Sequence, residues 1–235
     1  MVRRLTRYLR KILFLLISLS LVIAFSFFLL KSEVFLIKNV VVTTDYNVKA
    51  NPEIIKILEK TQKQNFFLLK PEEIAGKIKT QDLKIEEVKI SREFPGKLFV
   101  KIQTRLPLAA VKTQDGYFFI DKEGLIFEHG KESGAIPTLN LGLQNPQVGS
   151  RIDGKEEIVL KILAFLKGKE EIVFITKEAD YYFLQLTEGL SVLFPGKDET
   201  QEKLDSLQMM LTRFKIEGKR PIKIDLRFAK PVISF

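Results

Sequence analysis

The chain has 235 residues, 46% of them hydrophobic and 29% charged, with a formal net charge of +9, no cysteine and one histidine. The absence of thiols excludes disulfides, a cysteine nucleophile and cysteine metal sites, and His129 has no second histidine at ligand spacing to build a His-based zinc site. Arg3, Arg4, Arg7, Arg10 and Lys11 supply five of the positive charges, which leaves 33 basic against 29 acidic side chains over residues 12–235, too mild an excess to point to nucleic acid.

Those five charges precede an uncharged run of 19 residues, Ile12 to Leu30, built almost entirely of Leu, Ile, Phe, Val and Ala. As a helix it rises roughly 28 Å, close to the hydrocarbon thickness of a bilayer, and satisfies its own backbone hydrogen bonds. The spacing predicts a transmembrane helix over 12–30, with the basic residues 1–11 held as a cytoplasmic, orientation-setting tail. Everything after Lys31 is then expected outside the cytoplasm. A cleaved signal peptide is the rival reading, with Ala24-Phe25-Ser26 as the cleavage site. Phe27 to Leu30 continue the apolar run past that site and favour the uncleaved anchor.

Val34 to Thr43 is short and β-branched and predicts a strand. Asn51-Pro52-Glu53 is a helix start, with an Asn cap, Pro at the first position and an acid near the positive end. Ile54, Ile55, Leu58 and Gln62 continue its stripe to about Thr61. A second helix opens at Pro71-Glu72-Glu73 with Ile74 and Ile78 on one face. Between them the apolar link Asn65 to Leu69 is expected to pack inward. The period then becomes two. Ile85, Val88 and Ile90 predict a strand to Glu93, Pro95-Gly96 a turn, and Leu98, Val100 and Ile102 a half-buried strand. The order is strand, helix, helix, strand, strand, closed near Pro107.

The remainder reads as mostly β. Tyr117 to Ile120 and Leu125 to Phe127 flank Asp121-Lys122-Glu123-Gly124 as a hairpin, and His129 follows in a polar stretch expected to be surface loop. Leu139 to Gly154 reads as loop, and Ile158, Ile162, Leu163 and Leu166 as a helix ended by Gly168. Strands are expected at Glu171–Thr176, Tyr181–Thr187 and Leu190–Phe194, with Glu188-Gly189 turning the last two. Leu204, Leu207, Leu211 and Phe214 mark a helix ending before Gly218. Ile222, Ile224, Leu226 and Phe228 alternate with Lys223, Asp225 and Arg227 in a final strand running on towards Phe235. Among the 19 phenylalanines, Phe66, Phe67, Phe118 and Phe119 are expected in the core.

This arrangement resembles the FtsQ/DivIB family of bacterial cell-division proteins. The likeness rests on the basic tail and anchor, then Phe35-Leu36-Ile37-Lys38-Asn39-Val40 leading into the strand-helix-helix-strand-strand unit. It continues in Arg92-Glu93-Phe94-Pro95-Gly96-Lys97-Leu98 and in Thr104-Arg105-Leu106-Pro107, where Thr104 stands in place of the usual Glu. Tyr117 to Gly124, Ile136-Pro137-Thr138-Leu139 and Ile224-Asp225-Leu226-Arg227 also fit. The resemblance implies an α+β protein: a single N-terminal transmembrane helix (12–30), a POTRA domain (34–106) and a mixed β domain with two helices (107–235) whose C-terminal strand binds a partner. It implies a single-pass protein of the inner or plasma membrane at the division septum, N-terminus cytoplasmic and outer domains extracytoplasmic. Its partners would be FtsB/DivIC-like and FtsL-like bitopic proteins, other divisome components through the POTRA domain, and the lipid bilayer, with no nucleic acid and no cofactor. The partner site maps onto 222–235 and the adjoining 181–194 hairpin, with Tyr181, Tyr182, Lys223, Asp225, Arg227 and Phe228 as candidate contacts.

A strand at a sheet edge has unpaired amides and carbonyls onto which a partner strand can add, and Asp225 and Arg227 on one face would offer charge pairs there. A final strand of alternating Ile and Leu is also what an ordinary sheet needs of itself. No GxSxG, HExxH, Walker or GxGxxG pattern occurs, and the pairs Glu72-Glu73, Glu86-Glu87 and Glu156-Glu157 fall at helix starts or exposed positions. The expected role is a non-enzymatic scaffold linking partners to septal peptidoglycan synthesis. A POTRA-bearing secretion or outer-membrane assembly component is the alternative, and a membrane-anchored envelope enzyme a further one.

Overall fold

The computed structural model describes residues 2–45, 51–152, 154–196 and 200–235, with backbone alone for residues 2–10, 155 and 200. The side chains of Arg3, Arg4, Arg7 and Arg10 therefore lie outside the described residues, and Lys11 is exposed. The chain divides into two compact units, Met1–Thr104 and Arg105–Phe235.

The first unit opens with α1 (Val2–Lys31), then β1 (Asn39–Thr44), α2 (Pro52–Thr61), α3 (Pro71–Lys79), β2 (Ile85–Glu93) and β3 (Lys97–Thr104). Within α1, Lys11–Lys31 is long and apolar enough to cross a bilayer. The sheet has the order β1-β3-β2, with β1 parallel and β2 antiparallel to the central β3. Leu98, Val100 and Ile102 point from β3 into a core with Ile37, Ile54, Leu58, Ile74, Ile78 and Ile85. The Asn51 side chain caps α2 by accepting from the amides of Glu53 and Ile54 at 3.2 and 3.3 Å.

Two expectations are corrected here. The strand predicted from Val34 begins only at Asn39, because the Ser32 side chain accepts from the Val34 amide and starts a single 3-10 turn over Glu33–Phe35. The link expected to pack inward buries Asn65 and Leu69 but leaves Phe67 and Leu68 exposed and Phe66 half-buried. Asn65 Oδ1 accepts from the amides of Phe67 (2.8 Å) and Leu68 (3.3 Å), an Asx-type turn that throws the two apolar side chains outward. Pro95-Gly96 forms the expected turn, with Gly96 at positive φ and the Phe94–Pro95 bond cis.

The second unit contains β4 (Ala109–Lys112), β5 (Tyr117–Ile120), β6 (Ile126–Gly130), β7 (Thr138–Asn140), α4 (Glu157–Leu166), β8 (Ile172–Lys177), β9 (Tyr181–Leu186), β10 (Ser191–Pro195), α5 (Thr200–Glu217), β11 (Lys223–Asp225) and β12 (Val232–Ser234). These strands form one mixed sheet, β12-β11-β10-β9-β8-β7-β4-β5-β6. The α4 stripe Ile158, Ile162, Leu163 and Leu166 and the α5 stripe Leu204, Leu207, Leu211 and Phe214 share one core with Leu139, Ile175, Leu184, Val192, Phe194 and Ile224.

Four expectations differ. Two further strands, β4 and β7, sit in the interior of the sheet, and β7 runs into the start of the stretch read as loop from Leu139. His129 is in strand β6, exposed, with its ring 4.6 Å from that of Phe118. Phe118 and Phe119 are half-buried rather than core. The predicted final strand is two: β11 ends at Asp225, the chain bends, and β12 returns antiparallel to it.

Candidate partner-binding edge

The candidate surface grows from the end of the sheet. β9 and β10 are an antiparallel hairpin, β11 runs parallel to β10, and β12 is the last strand. Side chains alternate across the pleat. Tyr182, Leu184 and Leu186 of β9 are buried in the helix-covered core, while Tyr181, Phe183 and Gln185 face the other way and are half-buried. On that open face the register aligns Thr176, Phe183, Leu193, Asp225 and Val232 as neighbours across five strands. The Phe174 and Phe183 rings lie 5.9 Å apart.

The bend between β11 and β12 is built by polar contacts. Asp225, almost fully buried, accepts from the Arg227 guanidinium through both oxygens, at 2.9 Å from Nε and 2.6 Å from Nη2, and from the Arg227 amide at 3.1 Å. Arg227 in turn lies 4.7 Å from the Tyr181 ring and 5.7 Å from the Phe228 ring. The Lys203 ammonium of α5 donates to the Phe228 carbonyl at 2.7 Å. The hydrogen bonds of Arg227 hold the Asp225 carboxyl below its ordinary range, against the opposing effect of burial. Burial, with the Glu156 charge second, pushes the Tyr182 phenol up.

The structure thus brings Tyr181, Asp225, Arg227 and Phe228 together. Phe228 is exposed, and Arg227 presents the outer side of its guanidinium. Tyr182 is core, not surface. Lys223 is exposed in the neighbouring row, opposite Ser191 and Ser234. The charge pairs expected across the edge are instead closed within the chain: Asp225 is spent on Arg227. Lys203 escaped the sequence reading. Its signal is spacing, since Lys203, Leu207 and Leu211 recur every four residues, so a lysine stands on the apolar stripe of α5. It is 8% exposed.

The edge itself is β12, between Pro231 and Phe235. Ser234 accepts from the Ile222 amide, so its backbone faces β11. Alternation then turns the N–H and C=O of Ile233 outward, away from the sheet. The Phe235 ring packs edge-on against Phe214 at 5.8 Å and ties the strand to α5. At the opposite end of the sheet, β6 is partly covered, since Ile126 exchanges backbone hydrogen bonds with Gly149 and Ser150.

The other motif residues are braces. Arg92 donates to the carbonyls of Phe66 (2.9 Å) and Leu69 (3.3 Å). Arg105 pairs with Asp121, both nearly buried, while Asp121 also accepts from the amides of Glu123 (2.8 Å) and Leu125 (2.9 Å) and so closes the β5–β6 turn. Among the described residues no group of three or more His, Asp or Glu side chains is placed to hold a metal ion.

Comparison with known proteins agrees with this architecture. A family model described as the POTRA domain, FtsQ-type, matches residues 35–105. The cell division protein DivIB of Clostridium botulinum is 27% identical over 154 residues, covering 61% of this chain and 60% of the relative. The cell division protein FtsQ of Rickettsia felis is 31% identical over 105 residues, 45% of this chain and 38% of the relative. That of Mycobacteroides abscessus is 25% identical over 133 residues, 55% and 41%. The matched stretch therefore spans about 60% or less of these relatives' length. With an apolar N-terminal helix, an FtsQ-type POTRA domain over residues 35–105 and a mixed sheet domain carrying two helices, the chain is similar to the cell-division proteins FtsQ and DivIB.

Proposed function

We propose that this protein is a bitopic membrane scaffold of the bacterial division complex, and that it works by binding rather than by catalysis. The helix Lys11–Lys31 anchors it in the cytoplasmic membrane with the basic tail inside and the 34–106 and 107–235 domains outside, at the septum. The relatives' designation as cell division proteins supports the process, and the FtsQ-type POTRA domain supports an assembly role. The observation that carries the docking reading is the β12 edge. The outward Ile233 backbone offers a donor and an acceptor to an added strand, and the Arg227–Phe228 bend that leads into β12 is braced against Tyr181 of β9.

The partner on this reading is the extracytoplasmic segment of an FtsB/DivIC-like protein held with an FtsL-like one. Arg227 keeps a net-neutral pair with Asp225, so strand addition and the apolar Phe228 supply the binding, with Lys223 an exposed cation in the adjoining row. Depletion in the host cell tests the role. The expected outcome is filamentous cells in which a fluorescent FtsB/DivIC-like protein no longer gathers at mid-cell, restored by the full chain. Normal septation with that partner still at mid-cell would contradict it.

A further inference from the structure

The link that folds outward in the first unit does so beside the end of the apolar helix. Asn65 Nδ2 donates to the carbonyls of Leu29 (2.9 Å) and Leu30 (3.1 Å), two acceptors that the last turn of α1 otherwise leaves without helical partners. The Phe28 ring of α1 meets Phe35 edge-on at 5.9 Å. Phe35 lies 5.3 Å from Phe67 and 6.2 Å from Phe94, and Phe66 touches both, at 5.5 and 6.0 Å. Arg92 fixes the cluster from the far side, with its guanidinium 5.5 Å from the Phe66 ring and hydrogen-bonded to the Phe66 carbonyl. The protein thus joins an aromatic cluster to the end of α1 through Phe35, yet leaves Phe67 50%, Leu68 62% and Phe94 58% exposed.

Large apolar side chains so exposed in one cluster need a surface to cover them. Their continuity with α1 names it. If Leu30 stands at the hydrocarbon boundary, side chains packed around the last turn of the helix stand at the level of the headgroups, where aromatic rings and leucine are favoured. We propose that Phe67, Leu68 and Phe94, backed by Phe35, seat the first unit directly on the outer leaflet of the bilayer. The seat and the Asn65 cap together hold the POTRA domain rigidly on the end of the helix, so that its height above the membrane is set by lipid contact and not by a free linker. This inference rests on the membrane-spanning reading of α1.

The chain contains no tryptophan, so single substitutions give single indole reporters. Phe67→Trp and Phe94→Trp would be compared with Phe25→Trp inside α1 and Leu83→Trp before β2, which lies about 30 Å from Phe94 along that nine-residue strand. Each full-length variant is reconstituted in phosphatidylcholine–phosphatidylglycerol vesicles, with and without lipid brominated near the top of the acyl chain, and circular dichroism verifies the fold. The proposal expects Phe25→Trp, Phe67→Trp and Phe94→Trp to be blue-shifted and to lose emission roughly twofold or more in brominated lipid, with Leu83→Trp unchanged. Quenching of Phe25→Trp alone would overturn the seat while leaving the anchor standing. No quenching at any position would overturn the anchor and the seat together.

Discussion

At the scale of single residues, the motif positions that carry the family resemblance act as internal braces. Arg105 and Asp121 form a nearly buried ion pair, and Asp121 also holds two backbone amides of the β5–β6 turn. Arg105→Ala leaves a buried carboxylate without its countercharge and is expected to destabilise the second unit by about 3 kcal/mol or more, read as a fall in its unfolding midpoint in urea. Asp225 gives a pH-dependent counterpart. Its folded carboxyl titrates below its unfolded range, chiefly through the Arg227 hydrogen bonds. The stabilisation it contributes is therefore complete above the unfolded carboxylate pKa of about 4 and is lost as pH falls through the lower folded value. Asp225→Asn should lower stability at neutral pH and flatten the acid limb of a midpoint-against-pH curve; an unchanged limb would show that the pair contributes nothing. The sequence pointed to Asp225 and Arg227 as neighbouring charges, and the structure pairs them with each other. Alternation put both on one face and implied two free charges, whereas the bend after Asp225 folds Arg227 back onto its neighbour.

Elements explain which parts of the fold the sequence revealed. Helices α2 and α3 carried caps, Pro starts and long stripes, and β2 and β3 carried clean alternation, so all four appear with their expected bounds to within a residue or two. Strands β4 and β7 span four and three residues, too short for a period, and tertiary pairing alone makes them strands. The turn between β2 and β3 shows a stricter local demand. Gly96 has φ +68, and an added Cβ would come within 2.6 Å of the Leu36 carbonyl oxygen. Gly96→Ala is expected to destabilise the first unit by about 2 kcal/mol, measurable by denaturant titration of the full chain. The edge has its own element-level prediction. Ser234→Pro removes an amide that faces β11, whereas Ile233→Pro removes one that faces outward, so the former should lower stability by about 1 kcal/mol more than the latter. Equal losses would mean that the register at the edge is different.

For the whole molecule, the order of apolar helix, strand-helix-helix-strand-strand unit and mixed sheet was legible because each segment changes its periodicity: continuous apolar, then helical, then alternating. The docking edge was half legible. The family resemblance implied a site near 222–235, and this remains a proposal; the return of the chain at Phe228 and the buried Lys203 behind it depend on contacts that no local pattern encodes. The absence of cysteine makes topology directly measurable. With a membrane-impermeant maleimide on intact spheroplasts, Gln81→Cys should label and Thr6→Cys should label only after lysis; the reverse pattern would invert the anchor. Docking at the β12 edge is measured by a binding titration. Full-length protein in nanodiscs would be titrated with the extracytoplasmic parts of the same organism's FtsB/DivIC-like and FtsL-like proteins, wild type beside Ile233→Pro. Saturable binding is expected of the wild type and its loss in the variant, whose thermal melt remains cooperative. Equal binding by both, or none by a folded wild-type chain, would contradict it.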